Sequence, residues 1–310
     1  MTQDQSHKAV LYAVLLLISG AYIYLSFTAP QQATAPGFEL YEPWKTVIRI
    51  TIMLPILLSW AFGAFAVHYL MSSAWHVKSV ELGKMFRLLG YGVMALVVGS
   101  WVPSIIGQIR TNFFPDDAFL EMAATIAQNY AYVLFPLIGF ALIYKASISP
   151  AAQAVPRNQS LPAAMLLIGI LGALWIATIF TNQTRQTTTL EFGRPSYYIN
   201  DALIILTLVT PTLAAWLMGI AGALNFSDLE SGGSPSNRKA FTRIVHGLLI
   251  AVFNSMIING LLSAGSERLT GVGLLFLLII VYIFVFLAIT SYGLIWRGAK
   301  DLSAYYEHQE

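Results

Sequence analysis

The sequence contains no cysteine and few charged residues. The absence of cysteine excludes disulfides, thiolate metal sites and cysteine nucleophiles within these 310 residues. Charged residues make up 10% of the chain, against about 25% in a typical soluble domain, and the net charge of +2 gives no basis for binding nucleic acid. A glycine-rich phosphate loop, HExxH and GxSxG are also missing. The sequence therefore does not favour an enzyme, and it predicts no cofactor and no metal site.

Long apolar runs dominate what is present. The chain is 57% hydrophobic with a mean hydropathy of +0.67. Since about 20 apolar residues span a bilayer, we predict an all-α integral membrane protein embedded in lipid. Eight runs are long enough to cross, at residues 9–28, 44–71, 86–107, 118–144, 162–180, 198–225, 243–263 and 271–296.

The distribution of lysine and arginine predicts the orientation. With the N-terminus inside, the inner loops hold eleven cations and the outer loops five. Because cations concentrate on the cytoplasmic side of membrane proteins, this asymmetry predicts a multi-pass cell-membrane protein with both termini in the cytoplasm. The eleven inner cations are Lys8, Lys78, Lys84, Arg87, Lys145, Arg157, Arg238, Lys239, Arg243, Arg297 and Lys300.

The sequence repeats itself at a spacing of about 155 residues. Comparison at an offset of 156 matches proline, tryptophan, glycine and arginine, and offsets of 153 and 152 align the first and fourth runs with the fifth and eighth. Repeats of this kind predict an internal duplication. The matches at 156 include Thr51 with Thr207, Pro55 with Pro211, Trp60 with Trp216, Gly63 with Gly219 and Arg87 with Arg243.

The duplication divides the chain into two four-helix halves. The first half is residues 1–145, the cytoplasmic linker is 146–161, and the second half is 162–310. Because four spans per repeat is an even number, the halves share one orientation and form a parallel pseudo-dimer. The longest predicted segments on the outer side are 28–43 and 181–195, and they are the candidate surface for binding a protein partner.

Each half carries a Thr-x-x-x-Pro motif followed by tryptophan and glycine. A proline inside a spanning helix frees the carbonyl four residues earlier, and a threonine hydroxyl at that place can hydrogen-bond local backbone groups. Two interpretations remain open: a kinked helix that lines a midplane site, or a fixed kink that serves packing. The residues are Thr51, Pro55, Trp60 and Gly63, matched by Thr207, Pro211, Trp216 and Gly219.

Small residues repeat every four positions in the third and seventh runs. Gly99, Pro103 and Gly107 share one helix face, as Ser255, Asn259 and Ser263 do. Small residues on one face are typical of close helix packing in lipid. Among them, Asn259 is the residue expected to hydrogen-bond across helices.

Ionisable groups inside a bilayer are costly and mark functional positions. Arg49 and Glu121 lie within predicted spans, and their counterparts in the second half are Ile205 and Gly273. Because both charges are present in one half and absent from the other, we predict that they pair; the alternative is that each reaches water separately.

A polar patch on the fourth run also distinguishes the halves. Gln128, Asn129 and Tyr130 are followed by Tyr132, whereas the aligned second-half residues are Ile280, Val281, Tyr282 and Phe284. The first half therefore has a polar interior that the second lacks. The patch predicts either a ligand or ion site or a buried hydrogen-bond network.

Two resemblances bear on identity. FTNQTRQ at 180–186, followed by YYINDALIILTLVTPTLAAWLMGIAGAL at 197–224, resembles uncharacterised multi-pass membrane proteins of candidate-phylum bacteria, which implies a bacterial inner membrane and no known activity. Eight spans in a four-plus-four arrangement also resemble heme A synthase in outline. That family places axial histidines in each half, whereas the five histidines here provide no matched pair, so no heme is expected. They are His7, His68, His76, His246 and His308.

Two functions remain open from the sequence. The first is transport or channel-like binding of a small solute or ion at a site between kinked helices, to which the first half's polar residues contribute. The second is a non-transporting membrane scaffold or accessory subunit of a larger envelope complex. Transport predicts that water reaches Gln128 and Asn129, whereas a scaffold predicts that hydrogen bonds close these side chains off.

Overall fold

A computed structural model describes residues 3–28, 42–113, 118–151, 205–229, 235–264 and 272–308. These residues are helical almost throughout and include no strand, which confirms the all-α prediction for this part of the chain. A five-residue π-helix, Ile205–Val209, directly precedes α5. The α-helices are α1 (Gln3–Thr28), α2 (Glu42–His76), α3 (Val80–Phe113), α4 (Ala118–Ser147), α5 (Thr210–Leu229), α6 (Pro235–Ala264) and α7 (Val272–Glu307).

Five of the described helices are long and apolar enough to cross a membrane. A shorter apolar stretch, Tyr12–Phe27, lies in α1, and α6 covers the predicted span 243–263 without being among the five. The predicted span 162–180 lies outside the described residues. Eight spans therefore stay a prediction. The five segments are Thr46–His76, Val80–Arg110, Ile126–Ser147, Thr207–Ser227 and Ile279–Glu307.

Six helices form a closed ring. Each contacts the next in the order α2, α3, α4, α5, α6 and α7, and α7 packs against α2 to complete the circle. Helix α1 packs against α2 and α3. The ring has two places where a first-half helix meets a second-half helix, α4 with α5 and α7 with α2, and we call these the two seams.

One end of the ring collects six helix ends. Residues 77–79 join α2 to α3 there, and Asn225 of α5 donates to Ser147 of α4 at 3.1 Å. Arg243 of α6 forms an ion pair with Asp301 of α7. Five further exposed cations lie at these helix ends, so we call this the basic end: Lys145, Arg238, Lys239, Arg297 and Lys300.

The helices pack through glycines at close contacts. Association in lipid relies on van der Waals packing, which small residues favour because backbones can approach. A Cβ atom on Gly92 of α3 would lie 2.8 Å from the Gly139 carbonyl oxygen of α4, and one on Gly247 of α6 would lie 2.7 Å from the Ser291 carbonyl oxygen of α7. The α3–α4 and α6–α7 contacts therefore require glycine at equivalent places.

Candidate functional site

Polar side chains join α3 to α4 in the first half. The predicted ligand residues Gln128, Asn129 and Tyr130 are consecutive on α4, and each is half-buried. The Tyr132 side chain forms hydrogen bonds with Gln128 and with Ser104 of α3. We call Ser104, Gln128 and Tyr132 the polar cluster.

Gly107 brings the Gln128 amide close to α3. A Cβ atom at this glycine would lie 2.9 Å from Gln128 Nε2. The sequence assigned Gly107 to a packing face, and the structure shows that the group packed against it is polar. The glycine therefore makes room for a side chain of the cluster.

An aromatic group lies next to the polar cluster. Tyr22 of α1 meets Trp60 of α2 with ring centroids 5.0 Å apart, and Trp60 meets Trp101 of α3 at 6.1 Å, both edge-to-face. Trp101 of this group lies three residues before Ser104 of the polar cluster, so the two groups adjoin along one face of α3.

The Trp101 indole is a buried donor that has no acceptor in the part of the chain that the structure describes. Its side chain is 8% exposed, and Nε1 finds no hydrogen-bond partner among the described residues. Trp101 precedes Ser104 by three residues, so both lie on one face of α3. Since leaving a buried donor unsatisfied costs about 1–3 kcal/mol, an acceptor on a bound molecule would be stabilised by this N–H.

Both helices of the polar cluster contain proline. Pro103 in α3 and Pro136 in α4 lie inside continuous helices. Each removes the N–H that would bond the carbonyl four residues earlier, which belongs to Gly99 and to Tyr132 respectively. The cluster thus lies between two proline-containing helices. In α4 the freed carbonyl belongs to Tyr132, which is a cluster residue.

A further contact fastens α1 beside this site. Asn112 Nδ2 on α3 donates to the Leu25 carbonyl of α1 at 2.9 Å and to the Gln108 carbonyl of its own helix at 2.7 Å. Because α1 provides Tyr22, this bond holds one wall of the aromatic group in place.

Matched residues bond reciprocally across the two seams. Tyr130 of α4 donates to Thr207 Oγ1 at 2.9 Å, and Thr51 of α2 bonds the Tyr282 hydroxyl of α7 at 2.6 Å. Thr51 and Thr207 are 156 residues apart, and Tyr130 and Tyr282 are 152 apart. Each seam therefore joins a threonine of one half to a tyrosine of the other.

The two threonines lie in different backbone conformations. The Thr51 hydroxyl lies 2.8 Å from the Val47 carbonyl and 3.0 Å from the Ile48 carbonyl. Since a hydroxyl has a single proton, its bond to the backbone makes Tyr282 the donor across the seam. Thr207 lies in the π-helix, four residues before Pro211, whereas α2 stays α-helical around Pro55. The same motif thus produces a backbone irregularity in one half only.

Glycines continue both seams toward the basic end. A Cβ atom on Gly63 would lie 3.2 Å from the Tyr292 ring, and one on Gly219 would lie 2.8 Å from the Phe140 ring. Phe140 and Tyr292 are again 152 residues apart. Near them Trp60 is buried, and Trp216 donates to Ser255 of α6 at 3.2 Å. The residues of the Thr-x-x-x-Pro motif therefore contact neighbouring helices along their length.

The centre of the ring is filled at the basic end. Phe86 of α3 stacks on Phe241 of α6 with centroids 6.4 Å apart and ring planes 16° from parallel, and Phe226 of α5 stacks on Phe241 in the same way. Phe86 and Phe241 are 155 residues apart, as Gly92 and Gly247 are. The contacts of α3 and α6 thus fit an offset of 155, one less than the offset of 156 read from the sequence.

Three predicted residues have side chains outside the described part of the structure: Arg49, Glu121 and Asn259. Their backbones belong to α2, α4 and α6. In the ring, α3 separates α2 from α4. The Arg49–Glu121 ion pair stays a prediction.

Sequence reasoning did not single out Ser104 and Trp101. Ser104 follows Pro103, a residue assigned to packing, and Trp101 had no matched tryptophan in the second half. The one available signal was the three-residue spacing of Trp101 and Ser104, which places both on one face of a helix.

No known protein family, no curated protein and no solved structure matches this chain.

Proposed function

We propose that the chain is an eight-span membrane protein formed by two fused, parallel four-helix halves. The reciprocal seams support this, because a rotation about an axis along the membrane normal exchanges the Tyr130–Thr207 bond with the Tyr282–Thr51 bond. The ring order supports it too: exchanging α2 with α5, α3 with α6 and α4 with α7 leaves every contact between neighbours in place.

We further propose that the basic end faces the cytoplasm of a bacterial cell and that the membrane is the inner membrane. Exposed cations at this end, among them Lys145, Lys239 and Arg297, support the assignment. Cytoplasmic faces carry an excess of lysine and arginine. Both termini then lie in the cytoplasm.

The function we propose is binding of a small solute in the first half, as part of its transport. The observation that carries the proposal is the polar cluster between α3 and α4, with the unsatisfied Trp101 N–H on the same helix face. The second half is an internal comparison, because Ile280 and Phe284 replace Gln128 and Tyr132 there. Since one half folds without these polar side chains, the fold alone does not require them.

A membrane scaffold is the second candidate, and the stacked rings of Phe86 and Phe241 favour it. They fill the centre of the ring at the basic end, which is where a pathway between the halves would run. In this arrangement the outer segments 28–43 and 181–195 bind a protein partner, and the polar cluster serves only to join α3 to α4.

Thiol labelling in sealed vesicles separates the two functions. The chain has no cysteine, so Gln128→Cys introduces a single thiol. Solute binding predicts that a membrane-impermeant maleimide labels it. Leu134→Cys is the matched control on the same helix, because Leu134 is 49% exposed on an apolar surface and faces lipid in this proposal. If Gln128→Cys reacts only after denaturation, the polar cluster is sealed and the scaffold is the better account.

A further inference from the structure

We infer that the solute bound in the first half is an uncharged molecule that presents a carbonyl or similar acceptor oxygen to Trp101 and an apolar ring or body to the neighbouring aromatic side chains. This inference rests on the solute-binding function proposed above and specifies its ligand. Three features of the site lead to it: the charge of the cluster, the kind of group left unsatisfied, and the aromatic wall.

The first feature is the absence of charge in the hydrogen-bonded set. Ser104, Gln128 and Tyr132 carry no ionised group, and Tyr132 hydrogen-bonds to each of the other two. Glu121 lies seven residues before Gln128 on α4, which is about 10 Å along a helix. Burying an ionised ligand without a paired charge is unfavourable, so this set of side chains selects a neutral one.

The second feature is the unsatisfied group itself. An indole N–H donates and cannot accept, and Trp101 Nε1 is buried without an acceptor among the described residues. A ligand that satisfies it must provide an acceptor. The Gln128 amide can then donate to the same ligand or accept from it, because it carries both kinds of group.

The third feature is the aromatic wall of Tyr22, Trp60 and Trp101. All three rings are at least nine-tenths buried, and each meets its neighbour edge-to-face. A ring in the ligand gains offset or edge contacts with such a wall, worth about 0.5–1.5 kcal/mol per aromatic pair. An amide or ketone attached to an aromatic ring provides both the acceptor oxygen and the ring.

Three probes of similar size test the ligand class: benzamide, benzoate and benzylamine, which are neutral, anionic and cationic at pH 7. Binding to the full-length protein in detergent micelles is measured by equilibrium dialysis. We expect benzamide to bind at least tenfold more tightly than either charged probe. Tighter or equal binding of benzoate or benzylamine overturns the inference, and so does the absence of benzamide binding.

Variants test whether benzamide binds at Trp101. Trp101→Phe keeps an aromatic ring without the N–H and is expected to weaken benzamide binding about tenfold, as loss of one hydrogen bond predicts. Trp75→Phe is the control, since Trp75 lies near the basic end of α2 and is 48% exposed. Gln128→Leu, which imitates Ile280 of the second half, provides a second test if Trp101→Phe does not fold by circular dichroism. Unchanged benzamide binding in the folded variants refutes the site.

Failure of this inference is distinguishable from failure of the proposed function. If Gln128→Cys is labelled from water while benzamide does not bind, the solute site stands and the ligand class is wrong. If Gln128→Cys is not labelled and no probe binds, both are wrong.

Discussion

Replacing Gly92 or Gly247 with alanine should destabilise the protein by a similar amount in the two halves. A Cβ atom at Gly92 would lie 2.6 Å from Ile143 Cγ1 and 2.8 Å from a carbonyl oxygen of α4. At Gly247 the corresponding distances are 2.6 Å to Ile295 Cγ1 and 2.7 Å to a carbonyl oxygen of α7. The isoleucine side chains can rotate, but the backbone oxygens cannot move without shifting a helix.

The magnitude follows from two opposing effects. Overpacking in a tight contact costs about 1–3 kcal/mol, whereas alanine favours a helix over glycine by up to about 1 kcal/mol. With the full helix gain subtracted, the net cost is about 0–2 kcal/mol, so we expect Gly92→Ala and Gly247→Ala each to lower the free energy of unfolding by about 1 kcal/mol. Gly20→Ala in α1 is the control, because nothing lies within 4 Å of a Cβ atom there, and it should be neutral or slightly stabilising.

The assay is equilibrium unfolding of the purified protein in mixed micelles of increasing SDS fraction, followed by far-ultraviolet circular dichroism. If both alanine variants unfold at or above the midpoint of the Gly20→Ala control, the close α3–α4 and α6–α7 contacts are wrong. If one variant is tolerated and the other is not, the equivalence of the two contacts is refuted.

Three further predictions concern the seams, the basic end and the polar cluster. Tyr130→Phe and Tyr282→Phe should each lower unfolding stability by about 0.6 kcal/mol, the average for an interhelical bond in a membrane protein; no effect in either variant on the same SDS titration would contradict the seam bonds. Arg243→Gln removes a partly exposed ion pair and should lower stability by at most about 1 kcal/mol, an effect that added salt should shrink; a larger, salt-independent loss would contradict it. Gly107→Ala should displace the flexible Gln128 amide and lower stability by about 0.5 kcal/mol or less, and this loss should disappear in a Gln128→Ala background, which lacks the amide; a loss of equal size in both backgrounds would contradict the contact.

The proline-containing helices show how far the local sequence predicts structure. The Thr-x-x-x-Pro spacing indicates a freed carbonyl and a nearby hydroxyl because both effects act within one helical turn. The tyrosine partners are 77 and 231 residues away, and no periodicity within a helix encodes such a contact. Comparison of the halves had matched Tyr130 with Tyr282 and Thr51 with Thr207 separately. Only the structure shows that the matched threonines hydrogen-bond to the matched tyrosines.

The polar patch shows a similar limit. The disagreement between Gln128 and Ile280 indicated where the first half differs from the second, since the two share a helix position. It did not reveal Ser104 or Trp101, because a serine and a tryptophan beside a proline also fit a packing face. Which side of α3 meets α4 depends on packing between helices.

Chemical cross-linking tests the two-seam arrangement most directly. In this cysteine-free chain, four double variants place one thiol on a threonine and one on a tyrosine of the seams. Fused parallel halves predict that a short bis-maleimide joins Thr51→Cys to Tyr282→Cys and Thr207→Cys to Tyr130→Cys. The pairs within one half, Thr51→Cys with Tyr130→Cys and Thr207→Cys with Tyr282→Cys, should not cross-link. Cross-linking within the halves, without cross-linking between them, would contradict the arrangement.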